Sequence, residues 1–215
     1  MAILSEHVSA YLERLRPERS AVMAEMEELA ERVGVPIVHW ETGRFLAALV
    51  GSLQPRAVLE VGTAIGYSTL HMAEALDGGR IVTIERDPER AGQARDFLAR
   101  AGVADRVELV EGDALEELER MSGPFDLAFV DAAKSEIPAY LDLAEPRLGP
   151  NAALVVDNLL MSGEVALPDG SDTRWADDSL RTAREFNERL LRSDRWLGAV
   201  LAIGDGVGFA TRRPS

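Results

Sequence analysis

From about Ile3 to Leu15, and again from Glu18 to Val33, apolar residues recur every three or four positions with charges between them, which is the spacing of one helix face. Pro17 stands where a helix's first turn tolerates proline. After Gly34 and Pro36 a third such run covers Glu41 to Leu53, and Pro55 stops it. The pattern then changes. Short Val- and Ile-rich runs at 57–61, 80–85, 106–110, 125–130 and 152–156 alternate with amphipathic segments near 66–76, 88–101, 114–121 and 136–147. That alternation predicts right-handed βαβ crossovers and a mostly parallel sheet covered on both faces. A loop rich in Gly, Pro, Asp and Ser at 157–173 precedes a helix over 176–191. Apolar runs at 195–203 and 206–212, joined through Gly204-Asp205-Gly206, predict a terminal β-hairpin.

No repeat or linker divides the chain. We therefore expect one α/β domain over 1–215, doubly wound and Rossmann-like, with a seven-stranded sheet ending in an antiparallel hairpin. N-terminal helices would fill 1–54 and the α/β core 55–215. A length of 215 residues and 47% hydrophobic content suit one continuous core. A net charge of −14, without a dense Lys/Arg run, disfavours nucleic acid as a partner. The absence of cysteine excludes disulfides, thiolate metal sites and cysteine nucleophiles. No stretch reaches the roughly 18 apolar residues of a membrane span, and the N-terminus lacks a signal-peptide core, so the plain expectation is a cytoplasmic protein.

In open α/β sheets ligands bind beyond the carboxyl ends of the strands, so the residues following each strand carry the candidate chemistry. The first strand runs into Glu60-Val61-Gly62-Thr63-Ala64-Ile65-Gly66-Tyr67-Ser68. Two glycines there flank a turn that opens a helix, either as a plain turn or as a place where a ligand approaches the backbone. Ala64 occupies the middle glycine of the dinucleotide fingerprint, and Glu60 would repel a pyrophosphate. A cationic, phosphate-free cofactor suits the turn better, which favours S-adenosylmethionine over a nicotinamide dinucleotide. Glu85 ends the second strand about twenty residues on, the spacing of a ribose-binding acid. Asp113 could cap the next helix or contact adenine. Asp131 and Asp157-Asn158 follow the fourth and fifth strands. These strands would lie about 4.8 Å apart, so the two acids are either separate helix caps or, with the amide, an oxygen cluster for Mg²⁺, Mn²⁺ or Ca²⁺.

These residues resemble the cation-dependent O-methyltransferases, the group of catechol and caffeoyl-CoA O-methyltransferases and their bacterial relatives. The likeness covers nearly the whole chain: Glu41-Thr42-Gly43, Leu59 to Ser68, Glu85, Asp131 to Lys134, Asp157-Asn158 and Gly204 to Gly206. One departure stands out. Many members have Asp-Ala-Asp-Lys where this chain has Asp131-Ala132-Ala133-Lys134, which touches local support or substrate preference more than activity. The resemblance implies that Asp131, Asp157 and Asn158 hold the metal and that Lys134 is the catalytic base. It also implies that Val38, Glu60, Gly62, Ser68, Glu85, Asp113, Ala114 and Asp131 line the cofactor site, and that the protein is a homodimer.

The expected reaction is direct methyl transfer from S-adenosylmethionine to a hydroxyl of a small, catechol-like acceptor. The divalent ion would fix the hydroxyl oxygens, and a neighbouring positive charge would favour the uncharged amine of Lys134. Leu159, Leu160, Met161 and Trp175 could wall an aromatic acceptor or simply pack beneath a loop. For His39 and Trp40, packing is the favoured expectation. The alternatives are a metal-independent methyltransferase acting on another small molecule or a modified tRNA base, and a non-catalytic cofactor-binding protein.

Overall fold

The computed structural model describes residues 4–213. Three helices come first: α1 (Glu6–Arg14), α2 (Ala21–Val33) and α3 (Trp40–Leu53). The expected helix start at Ile3 lies outside the described residues. α1 starts at Glu6 behind Ser5, and α2 starts at Ala21 rather than Glu18. The reason is capping: Ser20 Oγ accepts from Met23 N at 3.2 Å, satisfying an otherwise free N–H of the first turn, and Pro17 stays outside the helix.

The alternating core follows as β1 (Ala57–Val61), α4 (Tyr67–Ala75), β2 (Arg80–Glu85), α5 (Pro88–Arg100), β3 (Val107–Glu111), α6 (Ala114–Arg120), β4 (Phe125–Val130), α7 (Ile137–Ala144), β5 (Leu148–Val156), α8 (Asp177–Leu191), β6 (Trp196–Leu201) and β7 (Val207–Arg212). The strand order is β3-β2-β1-β4-β5-β7-β6, parallel except for β7, which runs antiparallel to β5 and β6. This is the expected doubly wound sheet. The chain reverses its winding direction at the β1/β4 junction, where Val58 pairs with Leu127 and Val61 with Val130. Among the described residues no helix is long and apolar enough to cross a membrane.

Strand alternation divides the core in two. Val58 faces the layer of α2 to α5, in a cluster with Met26, Leu46, Leu70 and Phe97. Leu59 and Val61 face α6 to α8, in a cluster with Leu118, Tyr140 and Phe186. The N-terminal helices α2 and α3 thus share one continuous core with the sheet.

Two further boundaries differ markedly from expectation. The helix expected over 136–147 is a single turn at 134–136, then α7, then a further turn at Glu145–Arg147 that contains Pro146, which lacks the N–H a continuing helix needs. β5 begins at Leu148 rather than 152, because a register shift between Phe125 and Leu127 accommodates exposed Pro150 and Asn151.

Candidate active site

The carboxyl ends of β1 to β5 surround a cavity of about 400 Å³. β1 delivers Gly62, held at φ +99°. A Cβ there would come within 2.1 Å of the Asp131 carbonyl oxygen, so the glycine lets the β1 and β4 turns touch. Ala64 adopts φ +48°, and its N–H donates to Glu85 Oε2 at 2.8 Å. The other oxygen of Glu85 accepts from Asp87 N at 2.9 Å. Glu85 therefore ties the β1 and β2 turns together, keeps lone pairs to spare, and lines the cavity.

Glu60 is placed differently from expectation. It is fully buried and is absent from the cavity lining. Ser68 Oγ donates to its Oε1 at 2.6 Å and Thr69 Oγ1 to its Oε2 at 2.5 Å. Burial pushes the carboxyl up to about 7, against the opposing pull of those hydrogen bonds. Glu60 thus fixes the first turn of α4, and Ser68 is the member of that pair that reaches the cavity.

Asp113 is a helix cap that also stands at the cavity. It caps α6 by accepting from Leu115 N at 2.9 Å, and with Ala114 it borders the cavity. Val38, Gly62, Ser68, Glu85 and Asp131 border it too, which brings together every expected cofactor residue except Glu60.

At the other end of the cavity β4 and β5 run side by side. Asp131 N donates to Val61 O at 2.9 Å and Asp157 N to Val130 O at 3.0 Å, so the ladders set both acids at equivalent strand ends. Lys134 Nζ reaches Asp131 Oδ1 at 2.5 Å. Asp157 is 1% exposed, and its Oδ1 has no hydrogen-bond partner. Burial first, and the charge of Asp131 second, raise its carboxyl well above the usual range. Asn158 follows at φ +64°, which breaks the strand direction beside the acids. No group of three His, Cys, Asp or Glu side chains gathers as a metal cluster among the described residues. As a candidate donor set, two carboxylates and one amide would offer hard oxygens short of positive charge, which suits Mg²⁺ or a similar ion.

The suggested apolar wall reduces to one member. Trp175 lines the cavity, whereas Leu159 and Met161 are fully buried core and Leu160 packs on Gly206. Trp40 turns away to donate from Nε1 to Glu13 at 2.9 Å. His39, for which packing was favoured, borders the cavity instead, with Nε2 3.8 Å from Asp205 Oδ2. Tyr67, Arg86, Arg90, Tyr140 and Asp205 are lining residues to which the sequence alone assigns no role, although Tyr67 and Asp205 fall within quoted motifs. Tyr67, Arg86 and Asp205 sit in turns or at helix starts and were accessible to the strand-end rule. Tyr140 lies within α7 and carries no such signal.

A family model described as O-methyltransferase matches residues 8–213. The chain is 34% identical over 193 residues to a catechol O-methyltransferase of Niastella koreensis, covering 86% of this chain and 85% of that one. It is 46% identical to a catechol O-methyltransferase of Mycobacterium tuberculosis over 127 residues, a stretch that spans 58% of each chain. Among solved structures, an O-methyltransferase from Bacillus cereus in complex with S-adenosylhomocysteine (SAH) aligns with a TM-score of 0.84 at 30% identity, over 96% of this chain and 97% of that one.

Proposed function

The chain belongs to the O-methyltransferase family and is an S-adenosylmethionine-dependent O-methyltransferase, and on that footing we propose that it methylates one hydroxyl of a small catechol-like aromatic acceptor with the help of a divalent cation. The observation that carries the cation is the buried, unpartnered Asp157 Oδ1 beside Asp131. Two neighbouring carboxylates, with Lys134 paired to Asp131 alone, leave a charge deficit that an oxygen-seeking ion would fill.

Asp131, Asp157 and Asn158 are the residues that would hold the ion. When bound, Mg²⁺, or Mn²⁺ or Ca²⁺ in its place, would polarise the acceptor's hydroxyl oxygen and ease its ionisation. The cavity wall of Val38, Gly62, Ser68, Glu85, Asp113 and Ala114 would seat the cofactor with its sulfonium toward the Asp131 end, and Glu60 would act from behind Ser68. Lys134 Nζ, which lies against Asp131 Oδ1, would be the group placed to accept the acceptor's proton. The acceptor oxygen attacks the methyl carbon, the carbon–sulfur bond breaks, and the electron pair stays on sulfur to leave the neutral thioether. Trp175 supplies an aromatic face at the acceptor side.

Residues 1–215 are read as one domain because α2 and α3 share a core with the sheet. A homodimer belongs to the same proposal: α1 buries none of its own residues and leaves Val8, Tyr11 and Leu15 exposed. Monomeric light scattering at micromolar concentration would refute that part.

The deciding experiment is a methyl-transfer assay on catechols and caffeoyl esters, with and without chelator. Activity lost on chelation and restored by Mg²⁺ supports the reading. Full activity in chelator would assign the compensating charge to Lys134 and remove the metal from the reaction.

A further inference from the structure

Tyr67 borders two cavities at once. It lines the active-site cavity, and it also lines a second one of about 80 Å³ enclosed by Arg16, Arg19, Trp40, Arg44 and His71. Its ring stands edge-on to His71, with centroids 4.9 Å apart, and its side chain is almost wholly buried. Its hydroxyl donates to Glu27 Oε1 of α2 at 2.6 Å. Glu27 in turn takes Arg16 on the same oxygen and Arg19 on the other at 2.8 Å. Arg16 also lies over the ring of Trp40, 5.6 Å from its centroid, and so touches the first residue of α3. One carboxylate thus gathers α2, the segment joining α1 to α2, and the residue that opens α4 beside the cofactor turn.

The same N-terminal region builds part of the cavity. Pro36, Ile37, Val38 and His39, the link from α2 to α3, form one wall of it. Whatever holds α2 in place holds that wall.

We propose that Glu27 is a positioning residue for the cofactor: through Tyr67 it latches α2 and the 36–39 wall against the S-adenosylmethionine turn, so that cofactor binding and α2 docking reinforce each other. Glu27 does not itself line the active-site cavity, so its influence on the cofactor passes through Tyr67. By linkage, a wall that must be docked for tight binding is itself stabilised by the cofactor, and by the same factor. The proposal rests on the cofactor assignment alone and needs neither metal nor acceptor.

SAH titration by calorimetry, paired with hydrogen exchange of the peptide spanning residues 20–33, tests it. Tyr67→Phe removes only the hydroxyl and Glu27→Gln only the charge. Each should weaken SAH binding about fivefold or more, part of what one hydrogen bond to a charged group is worth, since the effect reaches the cofactor through Tyr67. The double variant should be little worse than either single variant, since both break one connection. In the wild type, SAH should slow exchange in the 20–33 peptide, and in Tyr67→Phe that protection should disappear. Affinities within twofold of wild type in both variants would overturn the latch, as would α2 exchange indifferent to SAH, because a merely structural contact would lower the melting temperature without touching either quantity. Should a variant fail to fold, wild-type exchange decides alone. Absence of SAH binding in the wild type would instead overturn the cofactor assignment.

Discussion

Gly62 lies against the main-chain carbonyl of Asp131 so closely that a single added methyl would sit 2.1 Å from its oxygen. The turn proposed to seat the cofactor and the turn that carries Asp131, a proposed metal ligand, are therefore in backbone contact, and disturbing one displaces the other. Gly62→Ala combines that clash with a φ of +99°, a conformation costing an L-residue about 1–2 kcal/mol before any collision. We expect a lowered melting temperature together with weaker SAH binding. A variant with unchanged calorimetric affinity would show that the two turns can move independently.

Asp157 should trade stability for function. Its carboxylate is buried with one oxygen unpartnered and faces the charge of Asp131, an arrangement that costs free energy when no cation is present. In chelator, Asp157→Asn should therefore be more stable than wild type by about 1 kcal/mol, because it removes the charge and keeps the shape. The same substitution should abolish both activity and the stabilisation that Mg²⁺ confers on the wild type. Denaturant titrations with and without Mg²⁺ read both effects.

Lys134→Ala should lower kcat by roughly 10² or more, the range of a removed general base, while SAH affinity stays near wild type. Turnover that falls only slightly at every pH would reduce Lys134 to a counter-ion of Asp131.

His71 offers a pH signature independent of catalysis. Its imidazole is buried against Gly43 and Tyr67 with Nε2 unpartnered, and burial, aided by the charge of Arg44, pushes its pKa down to about 4 from an ordinary value near 6.5. The unfolded chain thus binds a proton between about pH 6.5 and pH 4 that the folded chain refuses. Stability is complete above that window and declines as pH falls through it, by roughly 3 kcal/mol for this residue alone. Urea midpoints of wild type and His71→Asn should converge or cross on acidification. Parallel curves would place the acid sensitivity elsewhere.

The loop after β5 should govern the acceptor and not the cofactor. Glu164 accepts from Arg174 N at 2.9 Å and from Arg174 Nε at 2.8 Å, while Arg184 binds the carbonyls of Val165 and Leu167, and together they hold the stretch ending in Trp175. Glu164→Ala should raise the acceptor KM several-fold and leave SAH binding intact. An unchanged acceptor KM would show that Trp175 is held by other contacts.

Asp131, Asp157 and Glu85 were legible in the sequence because parallel strands with apolar runs fix where their carboxyl ends fall, and an acid directly after such a run has few places to go. Glu60 was legible as a residue but not as a contact. Alternation along β1 directs it toward α4, and only the hydroxyls of Ser68 and Thr69, eight and nine residues on, decide that it serves the helix before the ligand. The loop from Asn158 to Trp175 was least legible. Its path depends on left-handed conformations at Asn158, Met161 and Ser162, which no periodicity announces, and on ion pairs between residues ten or more apart in sequence. The start of α2 was misplaced for a simpler reason: Pro17 and Ser20 both suit a helix beginning, and the hydroxyl that can satisfy an N–H prevails.

The strand inserted between β5 and β6 has a consequence for the far end of the cavity. Leu159 N and Leu160 N, just past the acid and amide, donate to the carbonyls of Gly206 and Asp205 at 2.8 and 2.9 Å, at the entrance to β7. Two tethers of the backbone flanking Asn158 therefore come from the turn between β6 and β7, nearly fifty residues on in sequence. A shift of Gly206 in that turn reaches the Asp157 end of the cavity through main-chain contacts alone, without touching any side chain that lines it.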